Sequence, residues 1–197
     1  MRGNTARRDR LRDAAIEVLA REGGRGLSHR AVDQAAQVPE GTAKNYFATR
    51  DALLQAAAER CVELYWIDLR KALGGARTPT NRQQLVAALR KVLQRSVGGQ
   101  RDRLLAYLEL HAEATRRPVL RQTLAELTRA DFEAHRAAHC AAGLAVTPAR
   151  LTMFMMCING AIANLLTRPP ELIEEIGLGN LEAFLSHLIS AVYPKDG

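Results

Sequence analysis

A chain of 197 residues, 47% hydrophobic and 25% charged, can bury a substantial core as one or two domains, which excludes an intrinsically disordered protein. No stretch is apolar over the roughly 18 residues of a membrane span, and the start MRGNTARRDRLRDAA lacks the apolar run of a secretory signal, so a cytoplasmic protein with no membrane partner is expected. The net charge of +7 is spread along the chain, with 11 Lys and Arg against 8 Asp and Glu in residues 1–60 and 17 against 13 in the remainder, so charge alone does not single out a nucleic-acid surface.

A first helix is expected from about Thr5 to Glu22, where Leu11, Ala15, Val18 and Leu19 make an apolar stripe. Arg2, Arg7, Arg8, Arg10 and Arg12, balanced only by Asp9, cluster at its start; phosphate contact and a solvated, fraying terminus both remain open. Residues 28–47, SHRAVDQAAQVPEGTAKNYF, then spell two short helices around a tight break. Ser28 is a natural N-cap, Val32, Ala35 and Ala36 share a face, and the helix ends near Gln37. Pro39 disfavours helical geometry at Val38, and a second helix is expected from about Glu40 to Phe47.

This is the layout of a helix-turn-helix, whose second helix suits the major groove. Its outward positions Thr42, Lys44, Asn45 and Tyr46 carry hydroxyl, ammonium and amide groups of the kinds that bond phosphates and base edges. Phe47 is expected in the core, and His29 and Arg30 lie in the first turn of the first short helix, placed either to touch the sugar-phosphate chain or simply to flank an exposed cap.

Residues 8–54 resemble the DNA-binding domain of the tetracycline-repressor (TetR) family. The resemblance is carried by Ala14-Ala15, Gly23 or Gly24, Ser28, Val32, Ala36, Val38, Gly41-Thr42, Tyr46-Phe47 and the run Arg50-Asp51-Ala52-Leu53, all in order. It implies a three-helix DNA-binding domain over residues 1–49 and a helical ligand-sensing and dimerisation domain over 50–197, about nine helices in all. It also implies Arg50 as a phosphate clamp, a homodimer on a palindromic double-stranded operator, and release by a small apolar or aromatic effector. No cofactor is implied. The chain departs from the family pattern at three places. Gln37 stands where a Gly is usual, and in left-handed geometry it would bear about 1–2 kcal/mol of steric cost. Pro39 replaces a Ser cap, so the first N–H groups of the recognition helix are expected to lack a side-chain partner and to meet phosphate or water. Ala43-Lys44-Asn45 replaces a commoner Leu-Tyr-Tyr or Leu-Tyr-His segment.

The remaining segments also read as helix, and no alternating strand pattern occurs, so the fold class is all-α. A long helix from Arg50 ends at Gly74-Gly75, and residues 74–80 are the linker candidate. Helices carrying Leu85 to Leu93, Leu104 to Ala114 and Val119 to about Ala142 follow, the last two parted by Arg116-Arg117-Pro118. Segments 146–167 and 181–193 complete the chain, separated by the Pro169-Pro170 break and an acidic stretch. The segment 146–167 is apolar on two sides, one stripe holding Leu151, Phe154, Met155, Ile158 and Ile162, the other Met153, Met156, Cys157 and Gly160. Two stripes imply a central position or a partner helix. With the resemblance, the first stripe together with Leu181, Phe184, Leu185 and Leu188 is expected to form the dimer interface.

Tyr65, Trp66, Tyr107, His111, Met153, Met156 and Asn159 combine adaptable apolar surface with polar handles and are candidate lining of the effector cavity that the resemblance implies. His135, His139 and Cys140 are the nearest approach to metal-ligand spacing, but Cys140 diverges from His139 on the helix and no fourth ligand is near, so no metal site is expected. Cys61, Cys140 and Cys157 are odd in number and widely spaced, against a disulfide framework. Glu109, His111 and Glu113 alternate along a helix and do not converge as an acid–base site. With no nucleophile motif or phosphate loop, catalysis is not expected. A rival reading stays open: an all-α small-molecule-binding protein or enzyme that keeps the helix-turn-helix as scaffold.

Overall fold

A computed structural model of the chain describes residues 2–75 and 78–194, with side chains at 4–68 and 78–194. Among the described residues ten helices follow one another: α1 (Arg2–Gly26), α2 (His29–Ala35), α3 (Thr42–Tyr46), α4 (Arg50–Gly75), α5 (Arg82–Val97), α6 (Arg101–Ala114), α7 (Pro118–Ala141), α8 (Pro148–Thr167), α9 (Pro170–Glu175) and α10 (Leu181–Val192). No strand occurs among the described residues. The helix beyond the expected nine is α9. Pro170, read from sequence as part of a break, opens a short helix at a position where its missing N–H costs nothing. Part of the expected linker, residues 76–77, lies outside the described residues.

Side-chain caps start several of these helices, the one at Ser28 being the cap expected from sequence. Ser28 accepts from Ala31 N–H at 3.1 Å, Asn81 from Gln84 at 2.9 Å, Thr147 from Arg150 at 3.3 Å and Asn180 from Ala183 at 3.0 Å. Each bond satisfies an amide that the first helical turn leaves free. α1 is broken at Gly23, whose φ of 68° and ψ of −178° lie in a region open essentially to glycine alone.

The chain forms two units. One comprises Met1–Gly74 with Asp102–Thr128, the other Gly75–Arg101 with Arg129–Gly197. Packing does not part at residues 49/50: Leu11 and Leu19 of α1, Val32 of α2 and Phe47 share one core with Leu53 and Leu54 of α4, Leu110 of α6 and Leu124 of α7. The second core joins Leu85, Leu89 and Leu93 of α5 to Phe154, Met155 and Ile158 of α8 and to Leu185, Ile189 and Val192 of α10.

α8 corrects one expectation from sequence. By length and composition it is a 20-residue helix apolar enough to cross a membrane, with a mean hydropathy of 1.3. One of its faces packs in the core of the second unit.

Candidate nucleic-acid interface

The turn between α2 and α3 is built from two left-handed residues and one buried carboxylate. α2 ends as Gln37 takes a left-handed φ of 52° despite the steric cost, and Val38 N–H donates to the Asp33 carbonyl at 3.0 Å. Gly41, at φ 88°, caps α3 without any side-chain bond of its own. Helical geometry therefore begins only at Thr42, and it ends at Tyr46 because Phe47 is extended, so α3 is shorter than the span expected from sequence.

The expectation that α3 lacks a side-chain partner at its start is overturned. The Asp33 carboxylate accepts from Gly41 N–H at 2.8 Å and from Ala43 N–H at 2.7 Å. Asp33 is 2% exposed, and a carboxylate so placed is stabilised by charge-assisted bonds and by the positive end of the α3 dipole. At the other end, His29 Nε2 lies 2.6 Å from the Phe47 carbonyl. A carbonyl only accepts, so Nε2 is the donor there.

The residues expected at DNA separate into outward and committed groups. Arg30, Lys44 and Asn45 are exposed. Thr42 is half-buried, its hydroxyl donating to the Pro39 carbonyl at 2.6 Å, and Tyr46 packs against the core with its ring centre 6.4 Å from that of Phe47. Phe47 itself is buried. Arg50 is partly engaged within the fold: its Nη2 donates to the Gly24 carbonyl and lies 3.5 Å from Glu113, while the side chain keeps 37% exposure. Arg12 leaves the basic cluster. It is buried, donating to the Ala56 carbonyl at 3.2 Å, to Asp9 at 3.1 Å and to both Glu63 oxygens at 2.9 and 2.7 Å. Arg7, Arg8 and Arg10 stay exposed, Arg8 over the Phe47 ring at 5.5 Å, while the Arg2 side chain lies outside the described residues.

Two further polar groupings brace the reader. Arg60 donates to both Asp13 oxygens at 2.7 and 3.1 Å and to Glu63 at 3.2 Å, joining α4 to α1. Partial desolvation would raise the Glu63 pKa, but its bonds to Arg12 and Arg60 hold it below the ordinary carboxylate value. From α6, Glu109 accepts Gly24 N–H at 2.8 Å, and buried Glu113 pairs with Arg117, which donates to Asp51 at 2.8 Å. Both backbone polar groups of Gly24 are thus held by side chains. Glu109 and Glu113, which suggested acid–base work, instead grip the end of α1 from one face of α6.

The candidate effector residues fall in different units. The rings of Tyr65 and Trp66 meet edge to face at 5.5 Å and those of Tyr107 and His111 at 4.4 Å, all in the first unit. Desolvation lowers the His111 pKa. Met153, Met156 and Asn159 are exposed in the second. The expected dimer residues are also redistributed. Leu151, Phe154, Met155, Ile158 and Leu185 are buried in the unit's own core, and Ile162, Leu181, Phe184 and Leu188 are half-buried against it. The exposed apolar stripe of α8 is the other one, with Met153 at 58% and Met156 at 56% exposure beside Cys157 and Gly160.

His139 is fully buried. Its Nδ1 lies 2.9 Å from the Tyr193 hydroxyl and its ring meets Phe154 edge to face at 4.4 Å. Burial, and secondarily His135, pulls its pKa down to about 4. Burial likewise pushes Tyr193 up to about 12. Among the described residues no three His, Cys, Asp or Glu side chains converge to hold a metal.

Residues 80–191 match a family model described as "Tetracyclin repressor-like, C-terminal domain". Among solved structures, the multidrug binding protein EbrR complexed with ethidium is 28% identical with a TM-score of 0.69, covering 96% of this chain and 99% of that one. A member of the TetR family from Streptomyces coelicolor A3 is 27% identical with a TM-score of 0.66 and the same coverage of 96% and 99%. A transcriptional regulator from Streptomyces coelicolor A3(2), 22% identical with a TM-score of 0.70, shares the fold over 96% of this chain and 99% of that one. No curated protein sequence matches the chain.

Proposed function

Because the chain belongs to the TetR family of transcriptional regulators, we propose that it is a ligand-responsive repressor that binds a palindromic operator in the cytoplasm as a homodimer. The observation that carries this reading is α3, a short helix tied at both ends and presenting exposed Lys44 and Asn45. Lys44 neutralises a phosphate or donates to guanine acceptors, and Asn45 pairs with adenine or bonds the backbone. Thr42, Tyr46 and Arg30 add backbone contacts. One such helix reads only a few base pairs, and a twofold dimer brings two of them to half-sites about 34–36 Å apart. The exposed stripe of Met153, Met156, Cys157 and Gly160 on α8 is the surface for the second copy.

The effector is apolar or aromatic. Support comes from EbrR, 28% identical, whose structures hold ethidium and, at 25–29% identity, proflavin and malachite green. An effector releases the operator only through unequal affinity for two arrangements of the protein. The grip of Glu109 and Glu113 on Gly24 and Arg50 supplies a route, since displacement of α6 then drags the turn between α1 and α2.

The test is fluorescence anisotropy with a duplex selected by the purified protein from a randomised pool. Preference for that duplex over a scrambled one at moderate salt is expected, and the protein without DNA is expected to bind proflavin in titration calorimetry. Equal binding to both duplexes removes the regulator reading.

A further inference from the structure

α3 is five residues long, too short to hold itself by its own backbone bonds. Of its residues only Ala43 is buried, with Tyr46 half-buried beside it and Phe47 in the core just beyond, so apolar packing anchors one face of α3 and leaves its two ends to other contacts. Directional bonds do the rest, and they come from α2. His29 donates to the Phe47 carbonyl at the C-terminal end of α3, and Asp33 accepts from the Gly41 and Ala43 amides at its N-terminal end. His29 and Asp33 are four residues apart, one turn of α2, and therefore share the helix face that meets α3. A donor thus meets the carbonyl end of α3 and an anion its amide end, each complementing the local sign of the helix dipole.

We infer that His29 and Asp33 are positioning residues that set the angle at which Lys44 and Asn45 meet base edges, and that neither binds DNA itself. The inference rests on the reading of α3 as the DNA-contacting helix. Two features exclude a simpler role for the pair. The Asp33 carboxylate is acidic and 2% exposed, so it offers phosphate nothing. His29, the one placed by sequence at the sugar-phosphate chain, has its Nε2 proton occupied by a backbone carbonyl of the reader. The clamp also explains how Pro39 is tolerated where a capping side chain would otherwise stand: the acceptor is supplied from eight residues upstream of Gly41.

Positioning and phosphate contact predict different behaviour. Base readout depends on placement within a fraction of an ångström, whereas phosphate affinity depends on charge count and appears in the slope of log K against log salt. The proteins to compare are full-length wild type, His29→Ala, His29→Gln and Asp33→Asn, each checked for unchanged helical circular dichroism. The probes are the duplex that wild type selects from a randomised pool and a scrambled duplex of equal length. His29→Ala and Asp33→Asn are expected to lower the selected-to-scrambled affinity ratio roughly tenfold, within the range one base contact supplies, while the salt slope on scrambled duplex stays at the wild-type value. His29→Gln, which retains a side-chain N–H able to reach the carbonyl, is expected to recover most of the ratio. An unchanged ratio in both His29→Ala and Asp33→Asn overturns the inference. So does a slope reduced by about one in His29→Ala with the ratio intact, which is the signature of a lost phosphate contact. Wild type showing no preference for its selected duplex would defeat the underlying DNA-reading assignment instead.

Discussion

In the first unit, an apolar core is supplemented by charged side chains holding backbone groups: Asp33 at the start of α3, Glu109 at the end of α1, Arg50 on the Gly24 carbonyl, Arg12 on the Ala56 carbonyl within α4. The second unit closes on apolar stripes of α5, α8 and α10, with the His139–Tyr193 pair inside. The contrast follows from helix length. A seven-residue α2 and a five-residue α3 bury little area of their own, so directional bonds fix the ends of α3. A 20-residue α8 lays down a continuous stripe whose burial is large but non-directional. A reader of base edges needs the first kind of precision.

The largest effect that would break this contrast is in the apolar unit. Phe154→Ala is expected to cost about 3–5 kcal/mol of unfolding free energy, because a fully buried ring leaves a cavity among α7, α8 and Tyr193. Urea denaturation followed by circular dichroism measures it, and a loss below about 1 kcal/mol would mean the ring is not a keystone of that core.

Acid is expected to weaken the same unit next. The His139 pKa is lowered from 6.5 to about 4, so between these values the unfolded chain binds a proton that the folded one refuses. Stability is therefore complete above pH 6.5 and falls by up to about 3 kcal/mol as pH drops to 4. Comparing the pH dependence of urea midpoints for wild type and His139→Leu checks this, with a flatter profile expected in the variant. Parallel profiles would place the acid sensitivity elsewhere.

Met156→Glu sharpens the comparison at the outer stripe of α8. It is expected to convert a dimer into a monomer in sedimentation equilibrium by about 2 kcal/mol or more of lost association, with helicity retained. A dimer of undiminished affinity would move the interface off this stripe. The smallest effect belongs to the reader. Lys44→Ala should weaken operator binding about tenfold and reduce the salt slope by about one, without changing the urea midpoint. A fall in stability instead would make Lys44 part of the packing.

Much of this was legible in the sequence because it depends on neighbours a few residues apart. Ser28 caps α2, Pro39 and Gly41 place the turn, and Phe47 is buried, whereas the left-handed geometry of Gln37 was a possibility the sequence left open. The all-α class and the TetR-like reader follow from the same short-range pattern. The double stripe on α8 was also visible, but not which stripe faces inward, since helical periodicity reports that residues share a face and is silent about what that face meets.

The sequence by itself therefore determined most of the helices, the Ser28 cap, the helix-turn-helix and the kind of outward chemistry it carries. Only the tertiary structure decided which charges are available for DNA. Arg12 meets Glu63 across 51 residues and is buried with all its nitrogens bonded, so an arginine that looks free in the chain is occupied in the fold, and Arg50 is drawn in part towards Glu113 across 63 residues. Asp33, which looks like one more surface acid, becomes the cap of the recognition helix because the turn brings the Gly41 and Ala43 amides back onto it. Capping within a helical turn is a short-range property. Ion pairs and borrowed caps depend on which helices come to lie side by side, and one-dimensional spacing does not encode that.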